Sequence, residues 1–180
     1  MGKLCFRASA IGAILLAFAV PAAAQQTVTL TDTSQTTTLT ANVSEQARVT
    51  VPAGVTFNVA NVSASTAATA ASVTVTSIVL ASATKQLQVS LQANAASFTP
   101  PVVGSTTWGA GDVTWNAATW TNATGASGTL SNAAYTTVAT CAAAATDCST
   151  TGLVFTLGAK STVQNAGSHT LVVTWKFASM

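Results

Sequence analysis

Few residues in this chain could do chemistry, and their spacing decides how far each can be taken. His169 is the single histidine, and Asp32, Glu45, Asp112 and Asp147 are the only acids in 180 residues. A Ser-His-Asp triad would have to run through His169, since imidazole is the ordinary side-chain base near neutral pH. Its place beside Ser168, just ahead of an alternating apolar run, suits a strand entrance better than a general base. The nearest string to a nucleophile elbow, Gly125-Ala126-Ser127-Gly128-Thr129, lacks the closing glycine. Asp112 and Asp147 are the least implausible carboxylate pair for sugar hydrolysis, yet both sit among small residues where Asp commonly bonds its own turn. Metal-ligand sets, phosphate loops and dinucleotide fingerprints have no match in the residues. The expectation is a protein that is not an enzyme and takes no cofactor and no metal.

Two other groupings carry more information. Trp108, Trp115 and Trp120 fall within thirteen residues, and Tyr135 follows. Flat apolar rings with a polar edge serve equally to stack on sugars and to fill a core. Trp115 alternates with Val113 and is expected to face inward, whereas Trp108 and Trp120 lie in or beside loops rich in Gly, Thr and Asn. Trp108, Trp120 and Tyr135 therefore define an alternative carbohydrate-binding reading, with a polysaccharide as partner. That reading needs two or three exposed coplanar rings; core use needs them buried and scattered. The second grouping is Cys141 and Cys148, six residues apart around an alanine run. In an exported chain such a pair most simply forms one disulfide, because redox pairs favour the tighter C-x-x-C spacing.

Export is what the first residues imply. Lys3 and Arg7 precede an apolar run of about thirteen residues. Pro21-Ala22-Ala23-Ala24 follows and supplies the small-residue ending of a secretory signal peptide. A bilayer-spanning helix would need roughly twenty apolar residues. Residues 1–24 are expected to be a cleaved leader, leaving no stable membrane span and a secreted, extracellular or cell-surface protein that passes through the periplasm. Cleavage after Ala24 also removes two cations from a precursor of net charge +2. Arg48, Lys85, Lys160 and Lys176 then balance the four acids, which excludes a basic nucleic-acid surface and leaves little repulsion between copies.

The elements that must position these groups read as strands. Leu87, Val89 and Leu91 alternate with polar neighbours, as do Leu153, Phe155 and Leu157, and Leu171, Val173, Trp175 and Phe177. Shorter alternations occur at Val49 and Val51, at Val55, Phe57 and Val59, and at Val73 and Val75 leading to Ile78 and Leu80. The abundance of Thr, 33 residues, favours extended backbone. Two alanine-rich stretches, residues 64–71 and 142–145, lack an apolar stripe and are expected to be loops or single turns. Eight or nine short strands without helical crossovers predict an all-β fold, a two-sheet antiparallel β-sandwich.

Ahead of this domain, which is expected over residues 39–180, residues 25–38 form a separate extended segment. Thr27-Val28-Thr29-Leu30-Thr31 alternates, a polar stretch follows, and Leu39, Ala41 and Val43 alternate again. One expectation is two further strands of the same sandwich. The sharper one is that residues 26–31 pair with a neighbouring copy, Val28 and Leu30 setting the register while main-chain hydrogen bonds hold the strand.

An Ala/Thr-rich exported chain with few charges, a separable first strand and a strongly alternating last strand resembles bacterial pilin-like and immunoglobulin-like surface proteins. Gly167 followed by Leu171, Val173, Trp175 and Phe177 is similar to the last strand of chaperone–usher pilins, which carries a glycine near its start. The chain departs from that pattern at Ser179, where those subunits place an aromatic, and in a disulfide that ties late rather than early residues. The resemblance implies a structural subunit of a fimbria, matrix or filament, self-associating by strand donation.

Overall fold

The computed structural model describes residues 36–180; the expected leader, Val28 and Leu30 lie outside the described residues. Eleven strands form: β1 (Gln46–Thr50), β2 (Thr66–Ala67), β3 (Ala71–Val79), β4 (Leu87–Ala93), β5 (Val113–Trp115) and β6 (Ala123–Gly125) come first. They are followed by β7 (Gly128–Thr129), β8 (Thr136–Cys141), β9 (Cys148–Leu153), β10 (Phe155–Leu157) and β11 (Val173–Ser179), and one 3-10 turn spans Ala110–Asp112. All pairings between strands are antiparallel, and they make three sheets, in the orders β1-β3-β9, β2-β10-β5-β7 and β11-β4-β8-β6. The all-β expectation stands, but three sheets are present where two were expected.

The extra sheet arises because one alternating run serves two sheets. Leu153, Phe155 and Leu157 are all buried, as their spacing requires. The chain nevertheless leaves β9 and enters β10 at Val154, where its N–H donates to Asn116 Oδ1 at 2.8 Å and its carbonyl accepts the Asn116 N–H at 3.2 Å. One asparagine thus satisfies both backbone groups at the crossing, so the ladder can be interrupted without an orphaned polar group. The side-chain alternation runs through the corner undisturbed.

A second irregularity explains a change of parity. Val73 and Val75 are buried, and the next buried residue on β3 is Ile78, three positions on. Ser77 takes a φ of 53°, and opposite it β1 advances from Gln46 to Arg48 while β3 runs from Val79 to Thr76. Ala47 alone faces Ser77 and Ile78 there, which is a β-bulge that turns Ile78 back onto the core side.

β4 is the most deeply set strand. Leu87, Val89, Leu91 and Ala93 point into the core, with β8 on one side and β11 on the other. Cys141 ends β8 and Cys148 begins β9, and their disulfide, with Cα atoms 5.9 Å apart, pins the turn between two different sheets. Both cysteines are buried. Residues 142–145 form that turn, with Ala144 at a φ of 58° and the Ala145 N–H bonded to the Ala142 carbonyl, so the helix propensity of alanine is overruled by closure of the disulfide loop.

Two expected strands do not pair. Residues 36–44 make no hydrogen bond to another described residue, and Leu39 and Val43 stand exposed. Their alternation finds no facing apolar row among the described residues. Residues 51–59 keep Val55, Phe57 and Val59 half-buried against the core, as the alternation predicts, but join no sheet. The one backbone bond within this stretch is local, from the Val59 N–H to the Phe57 carbonyl at 3.1 Å.

Candidate functional site

The tryptophans resolve first. Trp108, Trp115 and Trp120 are all buried, at 4%, 3% and 8% exposure, and only Tyr135 of the proposed sugar-stacking residues is open, at 40%. Trp108 Nε1 donates to the Gly158 carbonyl at 2.9 Å and Trp115 Nε1 to the Ala126 carbonyl at 3.0 Å, so these two rings are fixed inward by their polar edges, whereas Trp120 Nε1 is buried without a partner among the described residues. Trp115 faces the core as its alternation with Val113 implied. Trp108 and Trp120 do not offer the exposed flat faces that sugar stacking requires, and beside Trp115 and Trp120 glycines leave room for the rings to sink. A Cβ on Gly128 would run into the Trp115 ring, and one on Gly125 into the Ala118 carbonyl and the Trp120 ring. The glycine spacing was the available sign, and it reads as turn composition until the rings are placed. Tyr135 instead lies under the Lys176 ammonium, 5.1 Å from the ring centroid.

What the fold leaves open is a groove of about 910 Å³. Trp175 on β11 and the unpaired segment carrying Val55 and Phe57 line it, and Leu91, Phe155 and Leu157 form its buried base. β11 pairs with β4 along its whole length, and no other described strand lies on its far side. Direct partners in that pair share a face, so Val173, Trp175 and Phe177 point inward with Ala93, Leu91 and Val89. The β4 residues are fully buried while their β11 partners are only half-buried. The difference is the missing neighbour: β4 has a strand on each side, β11 on one. Both the edge of β11 and the segment 51–58 hold main-chain groups that no described strand satisfies.

One end of the groove is polar. His169 stacks edge-on against Trp108, with centroids 5.2 Å apart and planes at 84°. Its Nε2 donates to the Asn165 carbonyl at 3.1 Å, which leaves Nδ1 to accept the Thr107 hydroxyl at 2.7 Å. Both ring nitrogens are engaged in holding the loop that leads into β11. Gly167, at a φ of 135°, packs where a side chain would strike Pro101 in the same loop region. These contacts shape the rim and match the strand-entrance place expected for His169.

The acids are structural ties. Asp112 Oδ2 accepts the Gly109 N–H at 2.7 Å and the Lys160 ammonium at 2.9 Å. Partial burial pushes its carboxyl up, but the Lys160 and Gly109 bonds outweigh it and hold the group below its ordinary value. Asp147 Oδ1 accepts the Asn122 side-chain amide at 3.1 Å. Glu45 Oε1 receives three donors at the far end of β11: the Ala81 N–H at 2.7 Å, Lys85 Nζ at 3.0 Å and Ser179 Oγ at 3.1 Å. The Ala81 amide, with Lys85 and Ser179 adding to it, holds the Glu45 carboxyl below its usual range. Among the described residues no group of three His, Cys, Asp or Glu is placed to hold a metal ion, and no helix is long and apolar enough to cross a membrane.

No protein-family model matches the chain, and neither does a curated protein or a solved structure.

Proposed function

We propose that this chain is a secreted structural subunit, of a surface filament, fimbria or extracellular matrix, and that its groove receives an extended strand from another copy. The observation that carries the reading is the pairing of an open apolar groove with two main-chain edges that no described residue satisfies. A small apolar molecule would fit the volume, which lies in the range of ligand pockets. It would leave the backbone of β11 and of residues 51–58 unpaired. An added strand satisfies both, and its alternate side chains cover Trp175 and the half-buried residues opposite it. The sequence supplies such a strand in residues 26–31, where Val28 and Leu30 lie on one face. This is the behaviour that the resemblance to pilin-like and immunoglobulin-like surface proteins implies, and the balanced charge of a chain cut after Ala24 favours close association.

The reading is non-enzymatic, and it ranks above carbohydrate binding because the two tryptophans on which sugar stacking depended are buried. Deleting residues 25–31 tests it directly. The shortened chain is expected to keep its folded domain, by circular dichroism and thermal melt, and to lose every multimer seen by negative-stain microscopy and on unboiled SDS gels. Filaments that persist unchanged in the deletion variant would sink strand donation.

A further inference from the structure

β1 offers a further edge, on a different sheet from β11 and independent of the groove. It ends the sheet β1-β3-β9, and no described strand lies on its far side. Edge strands are commonly blunted by a bulge, a proline or an inward charge. β1 has none of these between Gln46 and Thr50. The extra residue of its bulge belongs to β3, and its one charge, Arg48, lies opposite Thr76 on the outward face. The residues ahead of β1 carry the same pattern. Val43, Ala47 and Val49 share a face by period two, and Glu45, the exception, has its carboxylate tied to Ala81, Lys85 and Ser179. Residues 42–44 make no hydrogen bond to another described residue, and Val43 and Val49 are exposed, at 72% and 41%. An apolar row without a described partner thus runs directly into a strand edge without a described neighbour.

We propose that residues 42–50 of two copies pair antiparallel about a two-fold axis at Gln46, residues 42–45 of each copy covering β1 of the other. The register follows by elimination. Direct partners in an antiparallel pair share a face, so the two apolar rows meet only where odd residues oppose odd ones, which puts the axis on a residue. An axis at Glu45 or at Arg48 sets like charges opposite each other. An axis at Ser44 or at Ala47 puts the Glu45 carboxylate against Val43 or Val49. Axes further out leave residues 42–45 clear of the partner's β1. At Gln46 the pairs are Val43 with Val49, Ser44 with Arg48, Glu45 with Ala47 and Asn42 with Thr50, so no charge meets a charge. Val43 then covers the exposed side of Val49, twice over, once in each copy. The contact is isologous and closes at two copies, unlike strand acceptance along β11.

The test is cysteine cross-linking of the full chain under mild oxidation, read on boiled, non-reducing SDS gels, where strand-donated ladders are gone. Opposed Cα atoms in such a pair stand about 4.5–5.5 Å apart, within disulfide reach. Gln46→Cys is therefore expected to give a covalent dimer that a reductant dissolves. Thr50 lies opposite Asn42, eight positions or about 27 Å from the partner's own Thr50, so Thr50→Cys alone is expected to stay monomeric. Adding Asn42→Cys to Thr50→Cys should restore the dimer. All three positions are exposed, so the substitutions leave the core untouched. Val43→Lys placed in the Gln46→Cys chain is expected to abolish the covalent dimer. A Gln46→Cys chain that remains monomeric, or that cross-links no faster than Thr50→Cys, overturns the pairing and leaves strand acceptance at β11 standing. A dimer that survives Val43→Lys overturns the register.

Discussion

At the residue scale, the decisive choices are small side chains beside large ones. Trp115 and Trp120 are buried because Gly128 and Gly125 offer no Cβ to their rings. Gly128→Ala and Gly125→Ala are each expected to lower stability by about 1–3 kcal/mol, the usual cost of forcing extra atoms into a packed core, measurable by urea unfolding. The acids carry a second prediction. Glu45 and Asp112 are both held below their ordinary values of 4.5 and 3.8, so the folded state binds fewer protons than the unfolded one in that range. Their stabilisation is complete above about pH 4.5 and is lost as the pH falls through the lowered values. Thermal melts should be flat from neutrality to about pH 5 and then decline. The decline should be shallower in a Glu45→Gln, Asp112→Asn double variant, and an equally steep decline there would assign it to other groups. Asp112 was legible from the sequence as a turn former; Asp147 bonds Asn122, 25 positions away, rather than its own turn, and Glu45 was not legible, because its partners lie 36, 40 and 134 positions away.

At the scale of elements, alternation told which face of a segment is buried, and it was right for β4, for the run from Leu153 through β10, and for β11. It could not say which sheet a segment joins. The run through Leu153 and Leu157 has one period and two sheets, since the crossing at Val154 depends on Asn116 rather than on anything local. Residues 51–59 alternate as a strand should, yet pairing requires a neighbour at the right distance, and the described residues supply none. The groove was illegible for the same reason: a vacancy beside β11 is a property of the arrangement. Filling that vacancy from within gives a clean test. Val55→Lys is expected to leave a folded monomer, because Val55 is only half-buried, and to abolish boiling-sensitive ladders by blocking the incoming strand. Ladders of normal length would show that residues 51–59 are no part of the receiving site. The disulfide turn was the easiest element to foresee, from two cysteines and their spacing. Replacing both by alanine should cost about 2.5 kcal/mol, the chain-entropy value for a loop of this length, in denaturant unfolding.

At the scale of the whole molecule, the described sheets leave the edge of β11 without a described neighbour, and under the proposed reading the strand that fills it comes from another copy. A copy lacking residues 25–31 would still accept a strand but could not give one. Mixed with intact subunits it should act as a terminator, shortening filaments in proportion to its fraction, as measured by length distributions on micrographs. The order in which the chain is made adds a condition. β4 and β11 pair from Leu87 opposite Ser179 to Ala93 opposite Val173, so about 80 residues separate the strands. At synthesis rates of roughly 5–20 residues per second, β4 waits on the order of 4–16 s for its partner. Until β8 follows and pairs with its other edge, Leu87, Val89 and Leu91 lie along a bare strand in a chain with almost no charge to keep copies apart. Whatever shelters the nascent chain for those seconds must cover the same apolar row that the finished domain buries on the strand between β8 and β11.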